Sequence, residues 1–139
     1  MASAIIASND INTIKLLGKI LMKRNWGILV TNLESERFLK MVDRDTTLLF
    51  IDFDRPDYMS FSLIKDIKER NSNLLLVLLA DEFSLEMRKR IAETSVFYCA
   101  VKPLDSLEME QIIQAVEHLF QEEKFLENTI DWDLCLDNF

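Results

Sequence analysis

The sequence predicts an α/β protein built on a doubly wound, five-stranded parallel sheet with five helices. Two patterns carry that expectation. Five short apolar runs recur along the chain, at Ala4–Ala7, Ile28–Thr31, Leu48–Ile51, Leu74–Leu79 and Phe97–Val101. Each is too continuously apolar for an amphipathic surface helix, which is how buried parallel strands read. Between the runs lie segments with apolar residues three and four apart, the spacing of a helix with one buried face. Parallel strands need crossover connections, and right-handed crossovers through helices give an open sheet covered on both faces.

Taken in order, the first helix is expected over Ile11–Arg24, with Ile14, Leu17, Ile20 and Leu21 in one stripe. The next two, Glu34–Arg44 and Ser60–Arg70, are more charged but keep the period through Phe38, Leu39 and Val42, then Leu63, Ile64 and Ile67. A fourth is expected over Leu85–Glu93 and a fifth over Leu107–Phe120, where Met109, Ile112, Ile113, Val116 and Phe120 form the stripe. Ser84 reads as an N-cap and Asp105 with Glu108 as a capping box, while Arg44 and Arg70 stand at helix C-termini, where the dipole favours cations.

A length of 139 residues allows one ordinary domain, expected over residues 1–124 and followed by an acidic-hydrophobic tail over 125–139. Hydrophobic residues make up 49% and charged residues 29%, far from the composition of a disordered chain. The net charge of −8 repels phosphate backbones and anionic lipid surfaces, so neither nucleic acid nor membrane is an expected partner. Met1 to Asn12 lacks a basic signal-peptide start, and the longest apolar run, Leu74–Ala80, is too short to span a bilayer; a cytoplasmic location is the expectation. Cys99, in an apolar run, is expected buried and Cys135 lies in the tail, so both read as free thiols. Gly18 and Gly27 belong to no phosphate-cradling pattern, which argues against nucleotide sites of the glycine-rich kind.

In open α/β sheets the chemistry gathers at the carboxyl ends of the strands. The third strand ends in Asp52-Phe53-Asp54-Arg55-Pro56 and the fifth in Lys102-Pro103. A carboxylate at one strand mouth facing an ammonium from another can hold a phosphoryl group, the carboxylate as nucleophile and the ammonium as counter-charge.

With Asp52, Pro56, Lys102 and Pro103 in that order and spacing, the stretch from Ala4 to about Phe120 resembles the receiver domains of two-component response regulators. The resemblance implies the flavodoxin-like receiver fold, Asp52 as phosphoacceptor, Lys102 as the phosphoryl contact and a cis peptide bond before Pro103. It also implies a Mg²⁺ site, and here the chain departs from the pattern. Receivers end the first strand with two acidic residues; Ser8 and Asn9 stand there, and a hard cation prefers carboxylate oxygens. The metal candidates are therefore Asp52, Asn9 and Asp54, for a site expected to be weak or absent, with no other cofactor. Asp10 also lies close in sequence, but a carboxylate one or two positions along is expected to point elsewhere. Leu79 occupies the place of the family's Ser or Thr, and an apolar side chain cannot hydrogen-bond a phosphoryl. Cys99 falls where the family has its switching aromatic residue, with Tyr98 beside it facing the other side of the sheet. Ser60 stands where a glycine is common.

The resemblance implies a non-enzymatic, stand-alone signalling module of atypical kind. Its phosphoryl donor would be a histidine kinase or phosphotransfer protein, its output an unknown downstream protein, and a homodimer is compatible with it. The alternative within the fold is a pseudo-receiver that needs no phosphate. A rival outside it is a phosphatase of the haloacid-dehalogenase type, because Leu48-Leu49-Phe50-Ile51-Asp52-Phe53-Asp54 is similar to that superfamily's D-x-D strand; Pro56 and the motif's position in mid-chain speak against it. Asp57, His118 and the methionines at helical positions read as solvated or packing residues. In the tail, Ile130, Trp132, Leu134 and Leu136 alternate with Asp131, Asp133, Cys135 and Asp137, a pattern that fits docking on a sheet edge or partner, or folding back on the domain.

Overall fold

A computed structural model describes residues 2–34, 38–42, 45–53 and 58–129, the side chains of 58, 59 and 121–129 excepted. The expected positions Arg44, Asp54, Pro56, Asp57 and the tail from Ile130 lie outside the described residues. Ten elements alternate along the chain: β1 (Ser3–Ala7), α1 (Ile11–Lys23), β2 (Gly27–Thr31), α2 (Phe38–Met41), β3 (Leu48–Asp52), α3 (Tyr58–Arg70), β4 (Leu75–Ala80), α4 (Leu85–Ala92), β5 (Tyr98–Val101) and α5 (Ser106–Thr129). All four strand pairings are parallel, in the order β2-β1-β3-β4-β5. This is the doubly wound order in which the chain reverses direction of growth between β1 and β3.

Side-chain alternation along the central strands divides the core cleanly, because successive residues of a strand point to opposite faces. Ala4, Ile6, Leu48, Phe50, Val77 and Leu79 face one way, onto Leu17 and Leu21 of α1 and Met109, Ile113 and Val116 of α5. Ile5, Ala7, Leu49, Ile51, Leu76 and Leu78 face the other, onto Phe38, Ile64, Ile67 and Phe83. Asp52 continues the Leu48 and Phe50 side and pairs in register with Leu79.

One expectation fails at the sheet edge. Ile28–Thr31 reads as a buried strand, yet no residue of β2 is buried, and Leu29 and Val30 are about half exposed. β2 is the outer strand, hydrogen-bonded to β1 alone, and an apolar run does not reveal whether a strand has one neighbour or two. Cys99 is likewise half-buried rather than enclosed, on the opposite edge strand.

The helix ends show which polar residues set the boundaries. Asp10 caps α1, accepting from the Asn12 amide at 3.0 Å, and Ser84 caps α4 by accepting from Met87 at 3.1 Å. At α5 the expected reciprocal box is split. Asp105 accepts from the Leu107 amide at 3.0 Å, while the Glu108 carboxylate takes the Tyr98 hydroxyl of β5 at 2.9 Å. α5 does not stop at Phe120 but runs on to Thr129, across the boundary expected at residue 124. Among the described residues no helix is long and apolar enough to cross a membrane.

Candidate functional site

The carboxyl ends of β1, β3, β4 and β5 bring four charged side chains to one place. β3 delivers Asp52, and its parallel register with β4 and β1 sets it level with Leu79 and just beyond Ala7. β5 ends at Val101, so Lys102 leaves the sheet at the same height; its backbone amide donates to the Ala80 carbonyl at 2.8 Å. The Lys102–Pro103 peptide bond is cis. The Lys102 Nζ lies 2.8 Å from Asp52 Oδ2, 3.3 Å from Asp10 Oδ2 and 3.9 Å from Asp81 Oδ1. Asp52 and Lys102, 50 residues apart in sequence, thus meet as the strand-mouth arrangement requires.

The Asp52 side chain is 1% exposed and that of Lys102 7%. A carboxylate so enclosed needs both a counter-charge and hydrogen bonds. Ser8 supplies one of the latter: its Oγ donates to Asp52 Oδ2 at 2.8 Å and accepts from the Asp10 amide at 3.0 Å. Ser8, which the sequence presents only as a missing metal ligand, is the direct partner of Asp52. The signal was present, since a small hydroxyl at a strand mouth level with a buried carboxylate is a natural donor.

Asp10 is the second correction. It was expected to point away, yet it serves both the α1 cap and the site. Its carboxylate accepts from the Thr13 hydroxyl and the Asn12 amide and also reaches Lys102. Burial alone raises its pKa, but the hydrogen bonds from Thr13, Asn12 and Lys102, with the lysine charge, outweigh this and hold the carboxyl below its usual range. Asn9, by contrast, is exposed.

These residues do not fit a divalent cation. The oxygen of Asp52 that faces β1 already binds a hydroxyl and an ammonium, and Ser8 and Asn9 offer neutral oxygens where carboxylates would be needed. Among the described residues no group of three or more His, Cys, Asp or Glu side chains is arranged to hold a metal ion. Lys102, set among Asp10, Asp52 and Asp81, is itself the cation of the site. Leu79 beside Asp52 is fully buried in the core, offering no hydroxyl.

On β5 the side chains divide as their alternation dictates. Tyr98 turns toward α5 and Glu108, which raises its phenol pKa, and Cys99 turns toward α4. His118 is exposed and Ser60 buried.

No protein-family model matches the sequence, and no curated protein matches it. Solved structures do match it. A response regulator from Thermotoga maritima superposes with a TM-score of 0.72 at 15% identity, over 84% of this chain and 97% of that one. A CheY-like response regulator receiver domain protein from Methanospirillum hungatei gives 0.72 at 15% identity, over 88% and 98%. The chain has the receiver fold. The same fold occurs in the pilus assembly protein CpaE from Caulobacter crescentus, similar at a TM-score of 0.68 and 12% identity over 84% of this chain and 99% of that one. The shared fold accounts for the strand order, while the pairing of Asp52 with Lys102 and the neutral Ser8-Asn9 pair are features of this chain's own sequence and structure.

Proposed function

We propose that this receiver-fold chain is a signalling module that acts through protein contact and needs no phosphoryl transfer at Asp52. The observation that carries this reading is the shared oxygen of Asp52, which binds the Ser8 hydroxyl and the Lys102 ammonium at 2.8 Å each. Asp52 is compensated from within the protein by these two donors. Leu79 supports the same reading, because it cannot report a phosphoryl group by hydrogen bonding. Fold alone does not dictate the chemistry, since this architecture serves proteins named as response regulators and others named for pilus assembly.

The second reading keeps Asp52 as phosphoacceptor, with a histidine kinase or phosphotransfer protein as donor. It is favoured by the position of Lys102, whose ammonium could neutralise a phosphoryl oxygen on Asp52. One experiment separates the two. The purified chain is incubated with acetyl phosphate and Mg²⁺, and intact masses of wild type and Asp52→Ala are compared. The contact-only module leaves both masses unchanged, whereas a gain of one phosphate in wild type alone establishes the acceptor. Catalytic turnover of a phosphomonoester would overturn both readings in favour of a phosphatase.

A further inference from the structure

The two outer strands are guarded differently. Natural sheet edges are kept short or carry charges, prolines or bulges, which deter a further strand. β5 has four residues and runs straight into Lys102-Pro103. β2 has five, Gly27-Ile28-Leu29-Val30-Thr31, without a charge or a proline, and its register with β1 is unbroken. Gly27 donates to Ala2 and Thr31 accepts from Ser8, so alternate residues bond inward to β1. The amides and carbonyls of Ile28 and Val30 therefore point outward.

An apolar surface continues from this edge onto α1. Leu29 and Val30 stand half exposed on β2, and Ile11 and Met22 of α1 are 63% and 70% exposed. Ile11, Ile14, Gly18 and Met22 recur at three- and four-residue steps and share one side of the helix. α1 crosses from β1 to β2 with Leu17 and Leu21 down on the sheet, and a right-handed crossover turns that side outward past β2. Midway along it Gly18 leaves open space, where an added Cβ would meet nothing within 4 Å. The negative charge of the chain does not fall here. Residues 11–33 hold Lys15, Lys19, Lys23 and Arg24 and no Asp or Glu.

We infer that β2 pairs antiparallel with β2 of a second copy of this chain, about a twofold axis through Leu29. Ile28 then exchanges both backbone hydrogen bonds with the partner's Val30, and Val30 with the partner's Ile28. The same axis serves the helices. α1 runs from the carboxyl end of β1 to the amino end of β2, so its middle lies level with Leu29. Strands stand about 4.8 Å apart, which sets helices centred between β1 and β2 about 10 Å from their mates, the distance of packed helices. In antiparallel order Ile11 meets the partner's Met22, and Ile14 fills the space beside the partner's Gly18. A register that suits strand and helix at once singles out a second copy over any other donor of a strand. The exposed lysines of α1 face each other only through solvent, where salt screens them. The association does not depend on how Asp52 is read.

Sedimentation equilibrium of the full chain over the micromolar range tests it. Wild type and Asp52→Ala sediment as dimers, tightened by NaCl. Val30→Lys sets a charge on the edge and Gly18→Gln fills the gap between helices, and each weakens association by at least about tenfold. Gln is a better helix former than Gly and enters open space, so Gly18→Gln keeps or raises Tm while it loses the dimer. Val101→Lys, on the exposed side of β5, leaves the dimer intact. Hydrogen exchange at the Ile28 and Val30 amides is slow where the dimer forms and fast on dilution. A monomeric wild type overturns the proposal, as does a dimer that is indifferent to Val30→Lys and Gly18→Gln, broken equally by Val101→Lys, loosened by NaCl, or without protection at Ile28 and Val30.

Discussion

The hydroxyl of Ser8 donates to Asp52 Oδ2 across the β1–β3 boundary, at 2.8 Å and out of solvent. Lys102 reaches the same oxygen from β5. The site is thus closed by one neutral donor and one ammonium, and its behaviour should follow from changing either.

Replacing Ser8 and Asn9 together by aspartate puts two further carboxylates beside Asp52. Without metal the double variant should be less stable than wild type, because like charges are crowded at a buried site. With Mg²⁺ it should recover, since a ligand bound only by the folded state adds stability in proportion to the logarithm of its concentration over Kd. Thermal melts with and without Mg²⁺ check this: the variant's Tm should rise with the cation and wild type's should not. An equal response of the two proteins would show that the neutral pair is not what excludes the metal.

Lys102→Met strips the counter-charge from an enclosed carboxylate and should cost about 3–5 kcal/mol in urea unfolding. Asp52→Asn should cost less, because Lys102 keeps Asp10 and Asp81 within reach. The double variant should be more stable than the sum of the singles predicts, the mark of direct coupling. Strict additivity would mean that the 2.8 Å contact contributes nothing.

Much of this was legible in the sequence, for identifiable reasons. The central strands declare themselves because β1, β3 and β4 are covered on both faces, so Ile5, Phe50 and Val77 sit in unbroken apolar runs. Asp52 and Lys102 were found because a parallel sheet brings all strand ends to one edge. Pairwise geometry was not legible. Nothing in the spelling Ser8-Asn9-Asp10 says that Asp10 bends back from its capping role to reach Lys102, or that Glu108 prefers the Tyr98 hydroxyl to its own helix end. β2 misled because Leu29 and Val30 look like core residues, and exposure at a sheet edge depends on strand order, a non-local property.

Away from the site, Glu117 ties α5 to the α1–β2 corner. It accepts from Arg24 Nε at 2.8 Å and from the indole of Trp26 at 3.0 Å. Burial raises its pKa, but the hydrogen bonds from Arg24 and Trp26, together with nearby positive charge, outweigh this and leave it below its ordinary 4.5. A carboxyl depressed by folding stabilises the protein above its unfolded pKa, and that stability is lost as pH falls from about 4.5 through the lower folded value. Glu117→Gln should therefore cost up to about 1 kcal/mol at pH 7 and flatten the fall of Tm as pH drops below about 4.5. The flattening should be incomplete because Asp10 is depressed as well. Parallel pH profiles for wild type and variant would refute the assignment.

Cys99 offers a test of packing under α4. The helix has no buried residue, and a recess of about 340 Å³ lies beneath it, lined by Phe83, Arg88, Ile91, Cys99 and Val101. A larger apolar side chain at 99 points into that space rather than into the close-packed core, so Cys99→Phe should add about 1 kcal/mol and raise Tm by about 3 °C, as cavity filling does. The same burial pushes the thiol pKa upward, which leaves little thiolate at neutral pH. In a Cys135→Ser background, Cys99 should therefore alkylate far more slowly than a free peptide thiol, and faster once urea unfolds the chain. A destabilised Cys99→Phe would mean that α4 already packs tightly against β5. Rapid alkylation in the native state would mean instead that α4 lifts away from the sheet often enough to admit reagent.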